Sequence, residues 1–360
     1  MNRYEMKRDL LRLAGLAAYR WRTLPPAVYI FNYHRVGDAG KTRFDPNVFS
    51  CDEAHFALQV RLIRARFDVI RMSQLLDLIE SGRRPQRPLA MITFDDGYRD
   101  NYAAAFPILR SEGVPAVFFL PTSYIGSTRV PWWDEVAMMV RQAKQAQLEI
   151  EPWCERLPIG PPHGEAIRQV LAAFKRSELP IELKLQQLRD ATGCSLGERD
   201  GAELFMNWDE VRELSAAGMD IGSHTHTHRI LAHLDLTEQE QELRMSKAIL
   251  EGQLGTPVDT LAYPVGGASA YTQETQELAR RCGYRAAFNF IANANPCPTT
   301  SPFDLYRMGV GDNAEPADFR FLTAFAGVDF GAVPGVRQVK RVLHDVSALS
   351  RQVKRAAGLS

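Results

Sequence analysis

Six short apolar runs rich in β-branched and aromatic residues recur along the chain, with helical patterns between them. That alternation constrains the fold more than any other feature. The runs are AVYIFNYH (27–34), PLAMITFDDG (88–97), PAVFFLPT (115–122), GMDIGSHT (218–225), DTLAYPVGG (259–267) and YRAAFNF (284–290). The segments 51–67, 72–82, 101–113, 206–218, 237–255 and 272–283 carry apolar residues at helical spacing, and several end at glycine. Strands alternating with helices predict an α/β fold on a largely parallel sheet. Such folds keep their sites at the C-terminal ends of the strands. His34, Asp95 with Asp96, His224 and Tyr263 all fall there.

At 360 residues the chain suffices for one large domain or two ordinary ones. Its formal net charge of zero gives no electrostatic reason to expect a nucleic-acid partner. Cys51, Cys154, Cys194, Cys282 and Cys297 are odd in number and scattered without a CxxC pair, which argues against a disulfide framework and a cysteine zinc site.

Strand signals fade between about 127 and 205, where charged helical patterns predict a helical insertion over the strand ends. Residues 1–26 read as an amphipathic helix: Lys7, Arg8, Asp9 and Arg12 break the apolar run, so it does not read as a signal peptide. Residues 326–360 read as a basic helical tail. No run of about 18 apolar residues exists to span a bilayer, although both basic ends suit peripheral contact with an anionic membrane surface. The expected location is therefore cytoplasmic, at the inner membrane face.

Two stretches carry chemistry. TFDDGY (93–98) ends a strand in adjacent carboxylates, each raising the other's pKa unless a cation or hydrogen bonds intervene. SHTHTH (223–228) spaces His224, His226 and His228 at every second position. In a strand all three would share a face; in a helical turn only the outer two would. Two imidazoles and one carboxylate leave coordination positions open for water and substrate, the arrangement of a catalytic divalent metal, zinc above all.

TFDDGY and SHTHTH resemble the first and second motifs of the polysaccharide deacetylase family, carbohydrate esterase family four. The likeness continues through IFNYHRVGD, GVPAVFFLPTSYIG, LAYPVGG and GYRAAF, over about residues 27–312. It implies a distorted (β/α) barrel and removal of the N-acetyl group from an amino-sugar glycan. It implies Asp95 as catalytic base, Asp96, His224 and His228 as ligands of a divalent metal, and the Tyr98 N–H as oxyanion donor, with His226 not a ligand. The family's base-orienting arginine motif and its leucine-x-leucine-histidine general-acid motif are absent. His34 is the candidate for binding substrate or donating a proton to the leaving amine. Arg307 is set to contact the base or substrate, or to form a surface ion pair. Tyr263, Pro264 and Trp133 are candidates for sugar binding, with core packing the alternative for Trp133. Two rivals remain: hydrolysis of a non-sugar C–N bond on the same scaffold, and a glycan-binding protein with a decayed site.

Overall fold

The computed structural model describes residues 15–197, 200–299, 301–311 and 314–328. Parallel strands form one curled sheet. Strand β1 (Val28–Tyr33) is followed by the short pair β2 (Arg35–Val36) and β3 (Phe49–Cys51), helix α2 (Glu53–Arg66), β4 (Asp68–Val69), α3 (Met72–Ser81) and β5 (Leu89–Phe94). A π-helical turn, Asn101–Ala105, leads into α4 (Phe106–Glu112) and β6 (Val117–Leu120). After an insertion come α8 (Trp208–Ala216), β9 (Asp220–Ser223), α9 (Leu236–Leu254), β10 (Thr260–Ala262), α10 (Gln273–Arg281), β11 (Ala286–Phe288), β12 (Met308–Gly309) and α11 (Pro316–Ala324). The strand order is β11-β10-β9-β6-β5-β1-β12, with β4 also paired to β5. Just before β12, Leu305 exchanges backbone hydrogen bonds with Ala287 and Asn289 around β11, while Met308 pairs with Phe31 of β1. This segment bridges the two ends of the sheet, giving the expected distorted (β/α) barrel.

Side-chain alternation along the strands separates two cores. Tyr29, Phe31 and Tyr33 of β1 and Ala90, Ile92 and Phe94 of β5 face the surrounding helices. Val28, Ile30 and Met91 pack in another cluster with Val117, Phe119 and Phe288. The second file turns polar toward the strand ends: Asn32 after Ile30, then Thr93 and Asp95 after Met91. Tyr33 lies opposite Phe94 and Leu120 opposite Ser223, so the loops after these strands leave the sheet side by side.

Local chemistry starts the helices where the sequence places them. Asn207 accepts from the Glu210 N–H while Glu210 accepts from the Asn207 N–H, a reciprocal cap worth about 1 kcal/mol at α8.

The insertion differs from its expected all-helical form. It contains α5 (Trp132–Gln142), α6 (His163–Arg176) and α7 (Ile181–Thr192), but residues 147–158 form an antiparallel hairpin, β7 (Gln147–Ile150) with β8 (Cys154–Pro158). Leu148 and Ile150 are buried while Gln147 and Glu149 are exposed, a strand alternation hidden by the neighbouring charged helices. The insertion has its own core, from Val136 and Val140 to Ile167, Phe174 and Leu188, which meets the barrel through Tyr98 and Phe205. Helix α1 (Leu16–Arg22) buries Ala17 against Phe321 and Ala324 of α11, so its described part packs on the domain. Residues 1–14 and the tail from 329 to 360, with their membrane-surface reading, lie outside the described residues.

Candidate active site

The first motif turns sharply off β5. Asp95 continues the ladder, donating its N–H to Tyr33 O, and then Asp96 and Gly97 take φ of 72° and 71°. The left-handed region costs a non-glycine residue on the order of 1 kcal/mol or more, and such strain clusters at functional sites. Gly97 also needs its missing side chain, because a Cβ there would lie 2.8 Å from Ile125 Cδ1.

The second motif loops back on itself after β9. Thr225 and His228 both have positive φ, and the His228 N–H donates to Thr225 Oγ1. Buried Glu242 of α9 accepts from the N–H groups of His226 and Thr227 and braces the loop. The outer histidines converge on one point, whereas the His226 ring turns aside to hydrogen-bond Thr122 Oγ1 at 2.8 Å. His224 Nδ1 donates to the Ala262 carbonyl, which fixes the tautomer and leaves Nε2 free to coordinate.

His224 Nε2 and His228 Nε2 lie 3.5 and 3.3 Å from Asp96 Oδ1. Donors bonded at about 2.0–2.1 Å to a tetrahedral centre sit roughly 3.3–3.4 Å apart, so the spacing fits a first-row divalent ion. Among the described residues Asp96 Oδ1 is buried without a hydrogen-bond partner, as an oxygen reserved for a cation would be. Burial would raise the Asp96 carboxyl, but His224, His228 and His34 draw it well below the usual carboxylate range. Burial pushes His228 down to about 3, leaving it neutral and ready to ligate.

Beside this triad Asp95 belongs to a buried network. Its Oδ1 accepts from Arg307 Nη1 at 2.6 Å and its Oδ2 from Asn32 Nδ2 at 3.1 Å. Asn32 Oδ1 in turn accepts from Arg307 Nη1 and Thr93 Oγ1. Arg307 Nε is held by the Asn289 carbonyl. Burial raises Asp95, and Arg307, helped by His224 and His34, outweighs it, so the carboxyl lies below its usual range and stays ionised. The surface ion-pair alternative for Arg307 is wrong: its side chain is fully buried. Asp95 and Arg307 line a cavity of about 320 Å³ at the barrel mouth, with Asp96, His224 and His228 also in its wall.

A family model described as polysaccharide deacetylase matches residues 82–148 and 183–287, which include both motifs. The chain is a member of the polysaccharide deacetylase family. Metal dependence is typical of that family, and the Asp96–His224–His228 cluster fits it. The chain is 20% identical to YxkH of Bacillus subtilis over 72% of its own length and 63% of that protein's. It is 32% identical to the poly-beta-1,6-N-acetyl-D-glucosamine N-deacetylase of Staphylococcus epidermidis over 22% of its own length and 28% of the other's. The chain thus matches less than two thirds of the length of either relative. Two solved structures share the fold at TM-score 0.54: the Streptococcus pyogenes deacetylase PplD in complex with acetate (16% identity, 82% of this chain, 96% of that one) and IcaB from Ammonifex degensii (19%, 83% and 98%).

The remaining candidates divide. His34 and Tyr263 line the same cavity as the polysaccharide deacetylase motifs. The His34 ring sits edge-on to Phe290, and its carbonyl accepts from Asn101 Nδ2. Tyr263 turns its hydroxyl to the Phe303 carbonyl and stacks on Tyr271, so it forms wall and offers no free hydroxyl. Pro264 is buried beside it, and Val265 at φ 63° turns the chain. Trp133 is only 4% exposed, its ring centroid 4.3 Å from that of His228 and its Nε1 donating to Tyr98 Oη. It packs against the His228 ring and also lines the cavity, so the structure places it both in the core and at the cavity wall. The Tyr98 hydroxyl donates to Asp134 Oδ2, while the Tyr98 N–H has no acceptor among the described residues. Sequence reasoning missed Asn32 and Lys175. Asn32 had a signal, a lone amide inside an apolar strand; Lys175, in the charged last turn of α6, had none.

Proposed function

We propose that the chain is a metal-dependent N-deacetylase that hydrolyses the acetamido group of an amino sugar in a polysaccharide, oligosaccharide or lipid-linked glycan. The observation that carries this reading is Asp95, held ionised by Arg307, beside a convergent Asp96–His224–His228 ligand set in one cavity. Two imidazole nitrogens and one carboxylate oxygen suit Zn²⁺. When bound, that ion polarises the acetamido carbonyl and acidifies water. Asp95 accepts the proton of the attacking water, and Arg307 with Asn32 fixes the carboxylate's direction and charge. The Tyr98 N–H donates to the developing oxyanion; one such donor contributes about 3 kcal/mol to a transition state. His34, at the cavity wall, gives a proton to the departing amine. Products are acetate and the free amino sugar.

The relative that acts on poly-beta-1,6-N-acetyl-D-glucosamine makes β-linked N-acetylglucosamine polymers the first substrates to try. The same reading takes the enzyme to act at the inner membrane face on a glycan under construction; fractionation that finds it outside the membrane would contradict this. The deciding test of reaction class is a panel of N-acetylated oligosaccharides, formamides and cyclic imides offered to the zinc-loaded protein. Acetate from the glycans alone supports the proposal. Turnover confined to the other amides moves it to a non-sugar C–N hydrolase, and metal binding without any turnover to a glycan-binding protein.

A further inference from the structure

Next to the metal cavity lies a larger one, of about 730 Å³, and the two adjoin across Trp132 and Lys175, which line both. Both volumes lie in the range of small-molecule sites, roughly 300–1,000 Å³. One side of the larger cavity is built by Leu179, in the turn between α6 and α7, and Ile181, the first residue of α7. The other is built by Arg229 and Ile230, which directly follow the ligand His228. The family model skips residues 149–182, so the side supplied by Lys175, Leu179 and Ile181 lies outside the segments that match it.

We propose that this compartment binds the further sugar units of the glycan whose acetamido group sits at the metal, an inference that rests on the deacetylase reading. Continuity argues for that occupant. The loop that carries His228 is also a wall of the compartment, so a chain leaving the metal cavity past Trp132 enters it. The charges argue for an uncharged one. Arg189 is ion-paired to Glu135 at 2.7 Å, and Arg229 to Glu238 at 2.8 Å and Glu242 at 3.2 Å. Lys184 Nζ donates to the carbonyls of Phe174 and Ser177, both at 2.8 Å. These three cations are engaged, so a phosphate or carboxylate would have to displace a partner at each; Arg129, also in the lining, lies 5.7 Å from the Tyr124 ring centroid with no ion pair among the described residues. Paired polar groups beside the apolar Leu179, Ile181 and Ile230 suit the hydroxyl edges and apolar faces of neutral sugar rings. Lys175, at the junction, has no hydrogen-bond or ion-pair partner among the described residues, and its Nζ lies 5.9 Å from the Trp132 ring centroid. It offers free N–H donors where the first glycosidic linkage would pass.

The test compares acetate release from the β-linked N-acetylglucosamine dimer and pentamer by the zinc-loaded full chain, as wild type, Leu179→Trp and Ile230→Trp, with metal content measured for each. The proposal expects wild type to favour the pentamer. Each indole, filling the compartment from opposite sides, should lower kcat/KM for the pentamer roughly ten-fold, the equivalent of about 1.4 kcal/mol of binding, and leave the dimer and the metal content unchanged. Equal losses at both lengths, or no length preference in wild type, would overturn it. If no protein releases acetate, the deacetylase reading fails. Calorimetric titration with the pentamer then decides the compartment by itself: weaker binding by both variants than by wild type supports it, and equal binding overturns it. A polyanionic oligosaccharide that outcompetes the neutral pentamer would overturn the uncharged occupant.

Discussion

Arg307 Nη1 lies 2.6 Å from Asp95 Oδ1, although 212 residues separate the two in sequence. The guanidinium keeps the base ionised in a buried setting, and Asn32 binds both partners. Arg307→Met should therefore bind metal as wild type does but lose roughly 10²–10³-fold in kcat. Removing the cation lets the Asp95 pKa rise, so the acid limb of the pH–rate profile should move to higher pH. A limb that stays in place, with kcat reduced, would show that Arg307 acts only as a structural prop. Stability should also fall, by about 3–5 kcal/mol, because a buried carboxylate loses its partner.

Much of this architecture was legible in the sequence, because strand ends are local features. TFDDGY and SHTHTH declared the ligand set, and the six apolar runs declared the strands. The base-orienting arginine motif was a gap in the family pattern, and Arg307 was a candidate to contact the base, but nothing local in DLYRMG says that it is buried against Asp95 rather than paired at the surface. Trp133 was ambiguous for a related reason. An aromatic pair at the mouth reads the same whether it faces a sugar or packs against His228, and in the structure Trp133 is buried against that ring while also lining the cavity. The hairpin at 147–158 was lost because strands this short carry little periodicity.

The histidine triplet should split two to one. His224→Ala and His228→Ala should each lose the metal, read as zinc per chain after dialysis, because each removes one of three converging donors. His226→Ala should keep full metal content, since its ring is turned to Thr122. Loss of metal in His226→Ala would contradict the two-histidine assignment.

Gly97→Ala should destabilise the fold by about 1–3 kcal/mol, measured by chemical denaturation. The new Cβ would meet Ile125 Cδ1 at 2.8 Å and stand on a left-handed backbone at φ 71°. Unchanged stability would mean the turn relaxes without strain.

Asp134 supplies a pH signature. Burial pushes its carboxyl up to about 7, against the pull of Arg35 and the Tyr98 hydroxyl. The native state therefore holds a proton that the unfolded chain releases near pH 4, so this group's contribution to stability falls as pH rises from about 4 through about 7. Asp134→Asn cannot ionise and lacks that loss. Its Tm relative to wild type should rise between about pH 5 and about pH 8, while a constant difference across that window would contradict the raised pKa.

The central claim is that Asp95 takes the proton while Asp96, His224 and His228 hold the metal. The most direct test is acetate release from N-acetylglucosamine oligomers by wild type and Asp95→Asn, each loaded with zinc and compared at equal metal content. The account predicts release by wild type and a rate at least roughly 10³-fold lower for Asp95→Asn with zinc still bound. An Asp95→Asn rate close to wild type would contradict it, because some other group would then be accepting the proton.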